Sequence, residues 1–194
     1  MEENARIEWD QRYQEGSHAS LDPDPFFVRA YREFVEPRFK YVGRALDLAG
    51  GIGRHALYLA ERGWLVTLTD VSEVALKQAR RQAELLDVHI FAEQTDLTEA
   101  QLPEDAFDLI VVFFYLERSL FLQIAAALRP GGMLIYKTYT EEQQELGGGP
   151  THPLHLLQSG ELKRAFPELE TLYYNETAAD KAVAELVARR TDGR

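Results

Sequence analysis

The sequence contains no cysteine among its 194 residues. Without cysteine the chain can form no disulfide framework, no thiolate metal site and no cysteine nucleophile. A long apolar run is missing too, since no stretch approaches the roughly 20 residues of a membrane-spanning helix. Residues 1–10 are polar and acidic and do not resemble a signal sequence. These absences predict a cytoplasmic protein without a membrane partner.

An excess of positive charge is missing as well. The 32 Asp and Glu residues outnumber the 21 Lys and Arg residues, which leaves a net charge of −11. The resulting field repels phosphate backbones and anionic lipid, and no run of basic residues is present. We therefore expect no nucleic-acid partner.

A glycine-rich turn is the most informative stretch of the chain. Residues 45–49 form a short apolar run that contains Asp47, glycines occupy positions 50, 51 and 53, and a helical pattern begins at once. Glycine permits positive φ angles and leaves no Cβ in the way of a ligand. The first turn of a helix presents unpaired N–H groups and the positive end of its dipole. A strand, a glycine turn and a helix N-terminus together predict a cradle for a nucleotide-like cofactor.

The chemistry of this turn separates two classes of cofactor. Residues 51–56 fit the dinucleotide fingerprint G-x-G-x-x-G/A, which is typical of an NAD(P)-binding oxidoreductase. Asp47 argues against that class, because its carboxylate would repel a pyrophosphate. The same carboxylate suits a cofactor that carries an ammonium group and a sulfonium. An ordinary glycine-rich turn is the remaining alternative.

Residues 47–53, Asp-Leu-Ala-Gly-Gly-Ile-Gly, resemble the first motif, D-x-A/G-x-G-x-G, of the class I S-adenosylmethionine-dependent methyltransferases. The resemblance implies S-adenosyl-L-methionine as the cofactor and assigns Asp47 to its ammonium group, directly or through water. It also implies that the backbone of the turn approaches the cofactor closely at Ala49, Gly50, Gly51 and Gly53.

Asp70 follows a second strand-like segment, residues 64–69. A carboxylate at the end of this strand can accept hydrogen bonds from both ribose hydroxyls, a geometry that dinucleotide folds share. The alternative is that Asp70 only begins the helix for which Ser72 is a natural N-cap.

Asp96 follows a third predicted strand, residues 88–94. In the family, a polar residue at this place accepts a hydrogen bond from the adenine amino group, and Val71 and Leu97 could sandwich the ring. The alternative is that Asp96 only caps the turn at residues 98–101.

The second half of the chain predicts the rest of a sheet. Residues 107–114 form a nearly continuous apolar run, typical of a strand buried on both faces of a parallel sheet. Leu-Arg-Pro-Gly-Gly at residues 128–132 resembles the family's turn before its fifth strand. The resemblance implies a Rossmann-like, doubly wound α/β fold with a seven-stranded, mostly parallel sheet of order 3-2-1-4-5-7-6 and strand 7 antiparallel. Residues 182–190 fit a helix by periodicity, but this fold requires a strand there, and we predict a strand.

Two further segments resemble small methyltransferases of the tellurite-resistance and thiopurine types. Trp-Asp-x-Arg-Tyr-x-x-Gly at residues 9–16 resembles their entry segment, which folds over the cofactor; an amphipathic N-terminal helix is the alternative. The loop at residues 140–158 resembles a loop on their acceptor side. We expect a single methyltransferase domain over residues 1–194, made of an N-terminal helical cap (1–40), a cofactor-binding core (41–139), an acceptor-side loop (140–160) and a C-terminal helix and β-hairpin (161–194).

Candidates for acceptor binding or catalysis lie after the fourth predicted strand and at or after the end of the fifth; they are Tyr115, Arg118, Tyr139, His152 and His155. We hypothesise that Arg118 holds an anionic group of the acceptor, and the alternative is a surface salt bridge. Either histidine could be a general base, and the alternative is a solvated loop histidine. The His-x-x-His spacing lacks a carboxylate partner, so we predict no metal site.

These patterns favour a methyltransferase that moves a methyl group from S-adenosylmethionine to an unidentified small-molecule acceptor by in-line displacement. Backbone carbonyls near Phe113 and Phe114 would complete the methionine site. Phe-Phe-Tyr-Leu at residues 113–116 stands in place of the motif of methyltransferases that act on nucleobase amines or glutamine, which disfavours those acceptors. We expect a monomer or a homodimer. The alternatives are an NAD(P)-binding oxidoreductase and a non-catalytic S-adenosylmethionine-binding protein.

Overall fold

The computed structural model describes residues 2–16 and 19–191. The chain divides into two units, residues 1–101 and 102–194. The outermost predicted bounds, residues 1 and 194, lie outside the described residues. The prediction of a single domain with four subdivisions stays a prediction.

The first unit alternates strands and helices after an N-terminal helical segment. Its elements are α1 (Glu2–Gln14), α2 (Pro25–Ala30) with a π-helical continuation (Tyr31–Val35), β1 (Arg44–Leu48), α3 (Arg54–Ala60), β2 (Leu65–Asp70), α4 (Glu73–Leu85) and β3 (Ile90–Gln94). The core of this unit includes apolar side chains from α2 and its continuation and from β1, β2, α3 and α4.

Local chemistry explains where these helices begin and end. Gly63 adopts a φ of 84° after the last turn of α3, and Trp64 N donates a hydrogen bond to Leu59 O at 3.2 Å, as in a Schellman motif. Ser72 is the N-cap of α4, because its Oγ accepts a hydrogen bond from Ala75 N at 3.2 Å. Both helix ends occur at the residues that the sequence predicts.

The second unit carries the remaining strands. Its elements are β4 (Phe107–Phe113), a 3₁₀ turn (Arg118–Leu120), α5 (Phe121–Ala127), β5 (Leu128–Tyr139), α6 (Gln143–Leu146), a second 3₁₀ turn (Pro153–His155), α7 (Glu161–Arg164), β6 (Leu169–Ala178) and β7 (Ala182–Arg190). The apolar run of β4 is buried except at Asp108, which is half-buried, as expected for an inner strand of a parallel sheet.

The seven strands have the order β3-β2-β1-β4-β5-β7-β6. The pairs β1–β2, β2–β3 and β4–β5 are parallel, and the pairs β5–β7 and β6–β7 are antiparallel. The predicted Rossmann-like α/β fold, its strand order and the antiparallel seventh strand are thereby confirmed. The helical periodicity of residues 182–190 was overridden by backbone pairing with strands on both sides.

Two details differ from the sequence-based expectations. Residues 128–132 form the first part of β5 instead of a turn before it, because Leu128 pairs with Phe107 ahead of a register shift. The expected irregular loop at residues 140–158 contains α6 and a 3₁₀ turn, and it is tied to the end of β5 by an isolated bridge between Thr140 and Leu157.

Candidate cofactor and acceptor sites

The glycine turn after β1 is a tight bend that leaves no room for a side chain at Gly50 or Gly51. Ala49, Gly51 and Gly53 have φ angles of 52°, 58° and 78°. Gly50 N donates to Thr69 O at 3.1 Å, which anchors the bend to the neighbouring strand. A Cβ at Gly50 would lie 2.6 Å from the carboxylate of Asp47. The turn is therefore a bare-backbone surface with an acidic side chain directly beneath it.

Asp47 is fully buried beneath this turn. Its Oδ2 accepts a hydrogen bond from Ala56 N in the first turns of α3 at 3.0 Å, while its Oδ1 has no hydrogen-bond partner among the described residues. Burial raises the pKa of Asp47 to about 7, against the opposing effects of the Ala56 N–H and the Arg54 guanidinium. A buried carboxylate oxygen without a donor is costly, and a cationic ligand group or a bridging water would satisfy it.

Asp70 ends β2 at the predicted position and is also buried. Its Oδ2 accepts a hydrogen bond from Gly51 N at 2.8 Å, and its Oδ1 accepts one from Ser72 N at 2.9 Å. Burial raises the pKa of Asp70, although these backbone donors oppose the increase. Asp70 thus connects the glycine turn to the start of α4, and a lone pair that its backbone donors leave free can accept a hydrogen bond from a ligand hydroxyl.

The N-terminal helix contacts the glycine turn through Tyr13 and the start of α4 through Asp10. A Cβ at Gly51 would collide with the Tyr13 hydroxyl oxygen, so the phenol lies directly against the bend. Burial raises the pKa of Tyr13, and the carboxylate of Asp70 raises it further. Asp10 Oδ1 accepts a hydrogen bond from Ser72 Oγ at 2.6 Å. Residues 9–16, which by resemblance were expected to fold over the cofactor, include Asp10 and Tyr13, but no sequence pattern predicted their contacts with Ser72 and Gly51.

Arg54 also lies beside the glycine turn, at a position to which no sequence pattern assigned a role. It is half-buried in the first turn of α3, where its charge lowers the pKa values of both Asp47 and Tyr13. Its position directly after Gly53, at the helix N-terminus that forms one side of the turn, is the sequence signal that could have identified Arg54 as a residue of this site.

Asp96 adopts the turn-capping geometry of the alternative interpretation. Its Oδ1 accepts hydrogen bonds from Thr98 N at 2.9 Å and from Thr98 Oγ1 at 2.7 Å. Leu97 is buried, and Val71 is half-buried with its carbonyl accepting a hydrogen bond from Gln94 Nε2 at 3.0 Å. Turn capping uses one carboxylate oxygen of Asp96, so it is compatible with a contact from the other oxygen to an adenine amino group.

In the second unit, Phe113 is buried at the end of β4, and the next residue, Phe114, has a φ of 57°. The Phe114 ring contacts the Tyr139 ring, with centroids 5.0 Å apart. Tyr115 accepts a hydrogen bond at its carbonyl oxygen from the buried Tyr136 hydroxyl at 3.0 Å. Aromatic residues at and directly after the ends of β4 and β5 therefore gather at the carboxyl ends of these strands, where open α/β sheets bind ligands.

Arg118 has the salt bridge of the alternative interpretation. Its Nε and Nη2 donate to the two carboxylate oxygens of Glu161 at 2.6 and 3.0 Å. Its Nη1 and Nη2 also donate to the carbonyl oxygens of Leu154 and Leu156 at 3.0 and 2.8 Å. These four hydrogen bonds hold the loop at residues 153–157 and α7, and the binding of an acceptor anion by Arg118 stays a hypothesis.

His152 and His155 lie exposed on the same loop, with ring centroids 5.8 Å apart. The Nδ1 of His152 accepts a hydrogen bond from Leu154 N at 3.3 Å, so it serves as the N-cap of a 3₁₀ turn. This arrangement matches the solvated loop histidines of the alternative interpretation.

Comparison with known proteins shows which proteins this chain is similar to. Residues 45–132 match a family model described as a methyltransferase domain. A protein of Geobacillus sp. (strain WCH70) that bears a methyltransferase name is 31% identical over 127 residues, a match covering 57% of this chain and 50% of that protein. YqeM of Bacillus subtilis (strain 168), also a methyltransferase by name, is 29% identical over 133 residues, with 64% of this chain and 51% of that protein covered.

Solved structures show the same fold. TehB from Haemophilus influenzae superimposes with a TM-score of 0.73 at 20% identity, covering 94% of this chain and 67% of that chain. The chain is therefore similar to methyltransferase domains, which supports the predicted resemblance to the class I S-adenosylmethionine-dependent methyltransferases. It spans about half the length of the curated relatives it matches. Within the described part of the chain, no helix is both long and apolar enough to cross a bilayer.

Proposed function

We propose that this protein is an S-adenosylmethionine-dependent methyltransferase that acts on a small-molecule acceptor. The observation that carries the proposal is Asp47, a fully buried carboxylate whose Oδ1 lacks a partner among the described residues, beneath a turn of bare backbone. A positively charged donor satisfies such an oxygen, whereas a pyrophosphate would be repelled by it. Residues 45–132, which match the methyltransferase domain, include this turn.

The proposed roles of the other residues follow from their positions around the turn. The backbone at Ala49, Gly50, Gly51 and Gly53 would lie against the donor. Asp70 would accept hydrogen bonds from the ribose hydroxyls with the lone pairs that Gly51 N and Ser72 N leave free.

The base and the methionine moiety have separate proposed contacts. Asp96 would accept a hydrogen bond from the adenine amino group, and Val71 and Leu97 would flank the ring. Carbonyl oxygens near Phe113 and Phe114 would contact the methionine moiety.

S-adenosylmethionine supplies a methyl group that is already activated by its sulfonium. The chain's own contribution is therefore to orient donor and acceptor for in-line displacement and to exclude water. A general base is needed only where the acceptor arrives protonated. The net charge of −11 supports a small molecule over a nucleic acid, because the average field opposes a polyanionic acceptor.

Calorimetry tests the proposal directly. Titrations with S-adenosylmethionine, S-adenosylhomocysteine and NAD should show binding of the two adenosyl compounds and much weaker binding of NAD. Preferential binding of NAD would reject the proposal in favour of an oxidoreductase. Donor binding without turnover over a broad panel of small acceptors would favour a non-catalytic binding protein.

A further inference from the structure

A group of three side chains at the carboxyl ends of β4 and β5 includes the acceptor-site candidate Tyr139 and makes none of the donor contacts proposed above. We call it the lysine–aromatic cluster; its members are Phe114, Tyr139 and Lys181. The Lys181 Nζ lies 4.8 Å from the centroid of the Phe114 ring and 5.9 Å from that of the Tyr139 ring. Both rings are half-buried, and Lys181 is exposed. The cluster therefore presents aromatic surface beside a cation that water can reach.

The backbone at Phe114 is held in an unfavourable conformation. Its φ of 57° lies in the left-handed region that aromatic residues rarely adopt. Phe114 N donates a hydrogen bond to Lys137 O on β5 at 2.8 Å, which keeps the residue in the sheet register beyond the end of β4. Retained strain of this kind is concentrated at functional sites. In this protein the strained backbone lies in the turn that places the Phe114 ring beside Tyr139.

The backbone beside Lys181 is also fixed. Ala182 N donates a hydrogen bond to Oε1 of the buried Gln143 at 2.8 Å, and Ala182 O accepts one from Thr140 N at 3.0 Å. Because both polar groups of the residue after Lys181 are bound, the start of β7 has a defined position. The lysine is thus placed over the two rings by its backbone and not only by its flexible side chain.

The two lysines near the cluster differ in whether their ammonium groups form an ion pair. The other nearby ammonium, that of Lys137, lies 3.3 Å from a Glu185 carboxylate oxygen, and both of these side chains are nearly buried. Lys181 makes no ion pair with any residue that the structure describes, its neighbour Asp180 included. In a chain with a net charge of −11, an uncompensated cation over aromatic rings is well suited to an anionic ligand group.

We propose that the lysine–aromatic cluster binds the methyl acceptor, and that this acceptor has a planar unsaturated ring bearing an anionic substituent such as a carboxylate. The ring would lie against the exposed surface of Phe114 and Tyr139, which buries apolar area. The anionic substituent would accept a charge-assisted hydrogen bond from the Lys181 ammonium. That the ligand is the methyl acceptor rests on the proposed function, whereas the selectivity for an aromatic acid rests on the cluster alone.

Three small probes test the selectivity. Benzoate has both a ring and an anion, benzamide is its neutral counterpart, and cyclohexanecarboxylate keeps the anion without the aromatic ring. Dissociation constants would be measured by protein-observed NMR titration at constant ionic strength. We expect benzoate to bind about five-fold more tightly than either of the other two, the size expected for one exposed charge-assisted contact.

Single substitutions test whether benzoate binds at the lysine–aromatic cluster. Lys181→Gln should reduce benzoate affinity to that of benzamide, and Tyr139→Leu should reduce it to that of cyclohexanecarboxylate. Lys163→Gln is the matched control, because Lys163 is also exposed and lies 6.0 Å from the centroid of the Tyr174 ring, outside the cluster. Its benzoate affinity should equal that of the unmodified protein. If Tyr139→Leu fails to fold, Lys181→Gln still decides the outcome.

Equal affinities for the three probes, or a benzoate affinity that Lys181→Gln leaves unchanged, would overturn the inference. An equal loss in Lys163→Gln would overturn it too, since any surface lysine would then suffice. S-adenosylhomocysteine titrated into the same samples separates the two proposals. Absence of that binding rejects the proposed function, whereas its presence with unselective probe binding rejects only the role of the cluster.

Discussion

Protonation of Asp47 should control the affinity of the protein for its donor. Burial raises the pKa of this carboxyl to about 7, so near neutral pH a large part of the protein carries a proton there. In the proposed complex Asp47 is ionised beside a cationic donor. Binding must therefore release the proton, and the affinity for S-adenosylmethionine should fall as the pH falls below 7.

The size of this effect follows from proton linkage. With a pKa of about 7 in the free protein, the dissociation constant at pH 6 should be about ten times that at pH 8. The raised pKa also affects folding: the contribution of Asp47 to stability is fully present below pH 3.8, its ordinary pKa, and is lost as the pH rises through about 7. Asp47→Asn should thus unfold less readily than the unmodified protein at pH 8, by at most roughly 4 kcal/mol.

Isothermal titration calorimetry at pH 6 and pH 8, in two buffers of different ionisation enthalpy, measures both affinity and proton release. Asp47→Asn should bind the donor more weakly at pH 8 and should release fewer protons. Asp87→Asn, the same change at an exposed carboxylate of the same unit, is the control and should behave like the unmodified protein. An identical pH dependence in Asp47→Asn and in the unmodified protein would refute the reasoning.

Three other substitutions test the site and its supports. Gly51→Ala should weaken donor binding, because the new methyl group would meet the Tyr13 hydroxyl; Gly148→Ala, at a similar φ of 70° but with open space around it, should leave the measured affinity unchanged. Arg118→Ala should lower the free energy of unfolding by about 1–2 kcal/mol and speed proteolysis at residues 153–157, with donor affinity unchanged; an unaltered denaturation midpoint would contradict this. Ser72→Ala should cost about 1 kcal/mol through loss of the α4 N-cap, and a thermal melt that matches the unmodified protein would exclude that role.

The sequence alone was sufficient to predict the structure wherever the conformation depends on residues that are close together in the chain. The glycines at 50, 51 and 53 allow a bend that other residues could not adopt without strain or collision. Ser72 can cap a helix and Gly63 can end one whatever surrounds them. The continuous apolar run of β4 already requires burial on both faces. The strand order was predictable because the ordered motifs resemble those of one family.

Other features depend on contacts between residues that are far apart in the chain, and only the tertiary structure shows which of these contacts form. Residues 182–190 became β7 because β5 and β6 satisfy their backbone groups. Arg118 is committed to Glu161, a residue far along the chain, so its availability to a ligand could not be judged from sequence.

The same limit applies to Asp47 and to the lysine–aromatic cluster. Burial of Asp47, and with it the raised pKa, results from packing around the turn. Lys181 meets Phe114 only because strand pairing aligns the ends of β4, β5 and β7. Sequence determines which contacts are chemically possible, and the pairing of distant strands determines which of them form, because it alone sets the distances between residues far apart in the chain.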